Sequence, residues 1–235
     1  LVECDLSLQN PLACLNTSLL HAYSKISPTT CILASIIKRW AKNRDINNPS
    51  KHTLSSYGYV IMLLSFLTSR DFDKNGFVRE RKTTDAHPNP ILPNLQLVDP
   101  VWAQNPMGPY REVPAKPKTK ETMVQHPNEE HYYVNSYFYR AGLDGLSMFC
   151  STNHNTETAL GALLASFFHY YAFDFDYKKH IVSLSTKHRS SPLERDAKAE
   201  EDGWSIFKPG LAIEDPFELF YDVAHVVKTS NFQHI

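Results

Sequence analysis

Leu54-Ser55-Ser56-Tyr57-Gly58-Tyr59-Val60-Ile61-Met62-Leu63-Leu64-Ser65-Phe66-Leu67-Thr68-Ser69 is the stretch on which the fold class turns. From Tyr59 to Leu67 the apolar residues fall on every side of a helical projection, the pattern of a helix buried nearly all round. Ser50 to Thr53 offer cap residues for a start near position 54. A core helix over about 54–69 follows. The run is about half the roughly 18 apolar residues that a bilayer crossing needs, so no membrane span is expected.

Working outward, Asn10-Pro11 and Ser27-Pro28 each supply a cap followed by a helix-start proline, which predicts helices over about 11–26 and 28–44. In the second, Ile32, Leu33, Ile36, Ile37 and Trp40 form one stripe, with Lys38 and Lys42 one turn apart on the roughly opposite side. Before these helices Val2, Cys4, Leu6 and Leu8 alternate with Leu1, Glu3, Asp5 and Ser7. That period of two predicts a strand with Asp5 on one face.

Downstream of the core helix the pattern dissolves. Nine of the fifteen prolines lie between Asp71 and Asn153, beside clusters such as Arg79-Glu80-Arg81-Lys82, so an inserted, partly disordered loop is expected, with one short strand at Tyr132 to Phe138. Leu160, Leu163, Leu164, Phe167, Phe168 and Tyr171 then recur at three- and four-residue steps, predicting a second core helix over about 156–172. A short strand at Ile181 to Leu184, a polar charged loop to about Asp202 and a last helix from Pro216 through Val227 complete the expectation.

Composition bounds the function. With 235 residues, 42% of them hydrophobic, the chain can bury one substantial core. Its formal net charge of −1 excludes a general positive field for polyanions, so any nucleic-acid contact must be local. Cys4, Cys14, Cys31 and Cys150 show neither zinc-ligand nor disulfide-framework spacing. They read as free thiols in a reducing, intracellular compartment, the cytoplasm first, with mitochondrion or nucleus as alternatives. The chain opens in mid-strand style without a signal peptide, so any targeting segment is expected upstream.

Several separated motifs resemble one family, the noncanonical poly(A) polymerases and terminal uridylyltransferases of the DNA polymerase β-like nucleotidyltransferase superfamily. These are Asp5-Leu6-Ser7-Leu8-Gln9-Asn10 with Asn16-Thr17, Ile37-Lys38-Arg39-Trp40-Ala41-Lys42, Thr53-Leu54-Ser55-Ser56-Tyr57-Gly58-Tyr59, Leu92-Pro93-Asn94-Leu95-Gln96, Phe167-Phe168-His169-Tyr170-Tyr171 and Ile213-Glu214-Asp215-Pro216-Phe217-Glu218. The resemblance implies a mainly α fold of α+β type. Residues 1–10 would be the last strand of the catalytic domain, whose N-terminal part lies upstream. A helical central domain over 11–70, the insertion over 71–153, a poly(A)-polymerase-associated region over 154–228 and a tail over 229–235 would follow.

The same resemblance implies template-independent addition of UMP or AMP to an RNA 3′ end, with Mg²⁺ or Mn²⁺ as cofactor and UTP or ATP as donor. Asp5 would be the third metal-binding catalytic carboxylate, joining an upstream Asp-x-Asp pair. Lys38, Lys42 and Ser56 would meet the phosphates, Asn16 and Thr17 the ribose hydroxyls, and Tyr57 would stack on the base. Asp215 and Glu218 would read the base edge. In the uridylyltransferases a His that disfavours adenine often stands three residues after that Glu; here it is Tyr221, so UTP is only slightly preferred and a poly(A) polymerase remains the alternative. A noncatalytic nucleotide- or RNA-binding module is the other reading, because one of three acids is present.

Each residue also has a plain structural reading. Asp5 can face solvent, the lysines can form a charged surface, Asn16 and Thr17 can be polar helix positions, Ser56 can cap a helix, and Asp215 and Glu218 can cap the last helix. Asp174-Phe175-Asp176, which imitates an acid pair, follows the aromatic helix without a Gly-Ser turn and is read as structural.

Overall fold

The computed structural model describes residues 10–73, 75–78, 90–96, 110–114, 131–139, 157–184, 193–202, 210–228 and 230. The strand expected at the start, Asp5 included, and most of the 71–153 segment lie outside them. The described residues are mainly helical, as the sequence pattern requires: α1 spans Pro11–Ile26, α2 Pro28–Asn43 and α3 Ser56–Ser69.

Local chemistry sets the starts of these helices. Asn10 Oδ1 accepts from the Ala13 amide at 3.0 Å ahead of Pro11, and Ser55 Oγ accepts from the Gly58 amide at 3.1 Å, each satisfying one of the amides a helix start leaves unpaired. The cap of α3 is therefore Ser55, slightly later than expected. Gly58 permits a close approach: a Cβ there would sit 2.5 Å from Cδ1 of buried Leu54. Helix α3 buries Tyr59, Ile61, Met62, Leu63, Leu64, Phe66 and Leu67, all round as read.

Helix α2 packs differently from its apolar stripe. Thr29, Thr30, Leu33, Ile37 and Ala41 are buried, whereas Ile32 and Ile36 are exposed. The apolar arc is wider than the face α2 turns inward, so its edge is left to solvent among the described residues.

The second aromatic segment forms α4, Glu157–His169, and continues as one π-helical turn over Tyr170–Asp174. Its rings lock onto α3 and α2: Phe66 lies 5.8 Å from Phe167 and 5.6 Å from Tyr170, and Trp40 lies 4.7 Å from Phe168. Tyr171 donates its hydroxyl to the Met62 carbonyl at 2.8 Å. Such edge and tilted ring contacts add specificity to burial. Asp174 meets His169 at 3.2 Å and Asp176 caps the Lys178 amide at 3.0 Å, so these two acids are occupied structurally.

The remaining strands are short. Tyr110–Pro114 (β1) pairs antiparallel with His131–Asn135 (β2), Tyr110 opposite Asn135, so the strand expected at 132–138 is shifted and has a partner within the insertion. His180–Ile181 (β3) pairs antiparallel with Leu193–Glu194 (β4). From β4 the chain enters α5, Arg195–Asp202, where a polar loop was expected.

The expected helix from Pro216 to Val227 is absent: the segment is a bridged turn. Asp215 Oδ1 accepts from the Phe217 and Glu218 amides at 2.9 and 3.0 Å, and Asp222 Oδ1 accepts from Ile213 and Ala224 at 3.0 and 2.8 Å. The Asp215 bonds are those of a helix N-cap, but Asp222 holds the Ala224 amide that a helix from Pro216 would turn to the Phe220 carbonyl. Glu214 and Asp222 pair as an antiparallel bridge at its neck, and Ile213 pairs parallel with Val182.

Residues 91–96 tie the parts together. The Ile91 and Leu92 amides donate to the Leu67 carbonyl at 3.1 Å each, ending α3, and the Leu95 amide donates to Tyr23 of α1 at 3.2 Å. Gln96 Nε2 donates to the Pro216 carbonyl at 2.9 Å, fixing the turn from outside.

Candidate functional site

Two residues far apart in sequence converge on the carboxylate of a third. Asn16 lies on α1 beside buried Leu15, Tyr57 is in the first turn of α3, and Asp215 opens the bridged turn. Tyr57 donates its hydroxyl to Asp215 Oδ2 at 3.0 Å, and Asn16 donates through Nδ2 to the same oxygen at 3.3 Å. With both amides on Oδ1, the carboxylate has four donors, which lets a buried charge persist.

Burial and the Asp215 charge push the Tyr57 hydroxyl far above its ordinary range, with smaller contributions from the Asp215 hydrogen bond, Glu218 and Tyr221. It stays a neutral donor. Burial, then Glu218, Asp215 and Asp222, raise Tyr221 as well. Glu218 is buried beside this group, and the Tyr221 amide donates to its carbonyl at 2.8 Å. The Tyr221 ring lies 5.2 Å from that of His225. Asn16 Oδ1 is buried with no hydrogen-bond partner among the described residues. An orphaned buried acceptor costs stability unless something else satisfies it.

The other expected residues stand apart from this cluster. Thr17, about 100° round α1 from Asn16, is exposed, as are Lys38 and Lys42 on α2. Ser56 is exposed and its Oγ lies 2.8 Å from Asn47 Nδ2. Asn47 was not singled out in the sequence; its place just ahead of the helix start was the available signal. Asp222, which holds the neck, was missed because its bonds are to its own backbone.

Among the described residues no three His, Cys, Asp or Glu side chains are grouped to hold a metal ion. Asp5 lies outside the described residues. No described helix is long and apolar enough to cross a membrane.

The chain has relatives. Residues 159–219 match the Cid1 family poly A polymerase. The chain is 28% identical to the terminal uridylyltransferase Cid1 of Schizosaccharomyces pombe over 99% of its own length and 48% of the relative's. It is 29% identical to the poly(A) RNA polymerase GLD2 of Mus musculus over 92% of its length and 34% of that protein. The Cid1 poly(U) polymerase solved with Mg and 3′-dATP bound superposes with a TM-score of 0.62 at 28% identity, covering 95% of this chain and 53% of that one. The chain is similar to noncanonical poly(A)/poly(U) polymerases along nearly its whole length. It spans about half the length of Cid1 and a third of GLD2. The helical fold agrees with a poly(A)-polymerase-associated region of this family.

Proposed function

We propose that the complete protein is a template-independent RNA 3′-terminal nucleotidyltransferase, and that this chain contributes the last strand of its catalytic domain and the nucleotide-binding helical part. The observation that carries the reading is the convergence of Asn16, Tyr57 and Asp215 with a buried acceptor left open on Asn16. Asn16 Oδ1 would accept from a ribose hydroxyl, the simplest means of choosing a ribonucleotide, with Thr17 next to it in sequence. Tyr57 would present its face to the base, worth about 1–3 kcal/mol for any base. Asp215 and Glu218 would read the base edge.

Lys38 and Lys42 would neutralise the triphosphate as point charges one helical turn apart, with Ser56 donating to a phosphate. Asp5, with two acids upstream, would hold divalent Mg²⁺ or Mn²⁺, which balances charge as the α-phosphorus is attacked. The chain's own part is to bind and orient the nucleotide so that an unpaired RNA end meets it in line.

UTP is preferred over ATP by a small margin, on the two acids. A poly(A) polymerase is the second reading, favoured by Tyr221 in place of His and by the likeness to GLD2. Primer extension by the complete protein, with each of the four triphosphates offered separately, decides between them. UMP addition exceeding AMP addition by a few fold is expected. Extension with ATP alone would overturn the base assignment, and no extension with UTP and ATP binding intact would leave a noncatalytic module.

A further inference from the structure

We propose that the buried Lys198–Glu214 ion pair is a positioning device that sets the Asp215 carboxylate against the base, so that base choice depends on α5. This rests on the nucleotide-site reading above. Lys198 Nζ lies 2.5 Å from Glu214 Oε1, with the two side chains 3% and 1% exposed. The second oxygen of the same carboxylate accepts from Ser183 Oγ. Glu214 is one peptide unit from Asp215, and its amide donates to the Val182 carbonyl at 2.9 Å.

Helix α5 reaches both sides of the neck of the turn. Arg195, three residues before Lys198 and so on the same helical face, is buried and donates to the Gly210 carbonyl. Its charge is also felt by Asp222 at the far side of the bridge, within a burial that lowers the Arg195 guanidinium from its ordinary range. A charge pair placed anywhere in the core could serve stability alone. This one is tied to the strand whose next residue receives Asn16 and Tyr57. Breaking it leaves a buried charge that must move or find water, and the strand moves with it. A displacement of about 1 Å at a positioned group can cost large factors in binding or rate.

The test uses the full-length protein with Lys198→Met, Lys198→Arg and Ser183→Ala, measuring KM for UTP and for ATP, kcat and the melting temperature. For Lys198→Met, KM for UTP is expected to rise about tenfold and the UTP-to-ATP ratio of kcat/KM to fall toward unity. At saturation kcat should stay within about threefold, since the reacting groups lie elsewhere. Lys198→Arg should restore most of the ratio, because it keeps the charge. Ser183→Ala keeps the ion pair buried and should move KM and the ratio the same way by a smaller factor. It carries the test alone if Lys198→Met does not fold.

Folded Lys198→Met with the wild-type KM and ratio overturns the proposal. So does a lowered melting temperature with the ratio intact, or Ser183→Ala with the ratio unchanged where Lys198→Met cannot be made. Calorimetry of the wild-type protein with UTP and ATP separates the two readings. No binding of either sinks the nucleotide site itself, whereas normal binding with Lys198→Met unaffected sinks only the positioning role.

Discussion

The proposed base side and the proposed phosphate side of the candidate site are built on opposite principles. Asn16, Tyr57, Asp215 and Glu218 are buried or half-buried, and the first three share hydrogen bonds across 158 and 199 residues of sequence. Lys38, Lys42 and Ser56 are exposed, and Ser56 is tied among the described residues to Asn47. A base edge is neutral and must be recognised by groups already in place, because each misaligned buried donor or acceptor costs its full desolvation. A triphosphate carries its own charge and can be met by flexible, solvated ammonium groups that adjust to it. The two sides should therefore respond differently when residues are removed.

The largest effect is expected at Asp215→Ala. That change frees two amides and strips Tyr57 and Asn16 of their common acceptor. Stability should fall by about 3 kcal/mol, from charge-assisted bonds lost in a buried setting, and affinity for UTP should fall more than tenfold. Thermal melting and calorimetry measure the two together. Loss of affinity without loss of stability would show that the turn holds itself and that the carboxylate serves the ligand alone.

Lys38→Ala is the opposite case. The side chain is exposed, so the fold should keep its stability within about 0.5 kcal/mol, while KM for the triphosphate rises about tenfold, a cost of about 1.4 kcal/mol. Binding of uridine without phosphates should not change. An unaltered KM would remove Lys38 from the phosphate side, and a melting shift would blur the contrast between the two sides.

How much of this could be read beforehand follows the same division. Helices α1, α2 and α3 were legible because Asn10-Pro11, Ser27-Pro28 and the Ser55 region carry cap chemistry ahead of periodic apolar runs. Helix α5 was not, since Arg-Asp-Ala-Lys-Ala-Glu-Glu-Asp has no apolar stripe and packs through the buried charges of Arg195 and Lys198. Hydrophobic periodicity cannot find a helix held that way. Pro216 and the Asp215 cap imitated a helix start, but Asp222 claims the Ala224 amide and its bridge to Glu214 draws the chain back before a helix can run. In the site, the candidate residues came from the family resemblance that local motifs carry, whereas the meeting of Asn16 with Asp215 depends on packing that no spacing records.

The smallest expected effect tests whether the base side discriminates or only holds. Tyr221 sits within reach of the Asp215, Glu218 and Asp222 charges, its ring against His225. Its hydroxyl stays protonated, so it offers a donor on a longer arm than an imidazole would. In Tyr221→His the shorter ring brings a nitrogen in place of the phenol and, by the resemblance to uridylyltransferases, should move the UTP-to-ATP ratio towards UTP by about fivefold, near 1 kcal/mol. Such a change is within what one polar contact contributes at a pocket edge, and it should leave KM for the preferred nucleotide within a few fold. Competition between UTP and ATP in one extension reaction reads the ratio directly. If the ratio does not move while Lys198→Met does move it, choice resides in where Asp215 is held rather than in which ring faces it. The base side would then discriminate through the frame of the turn.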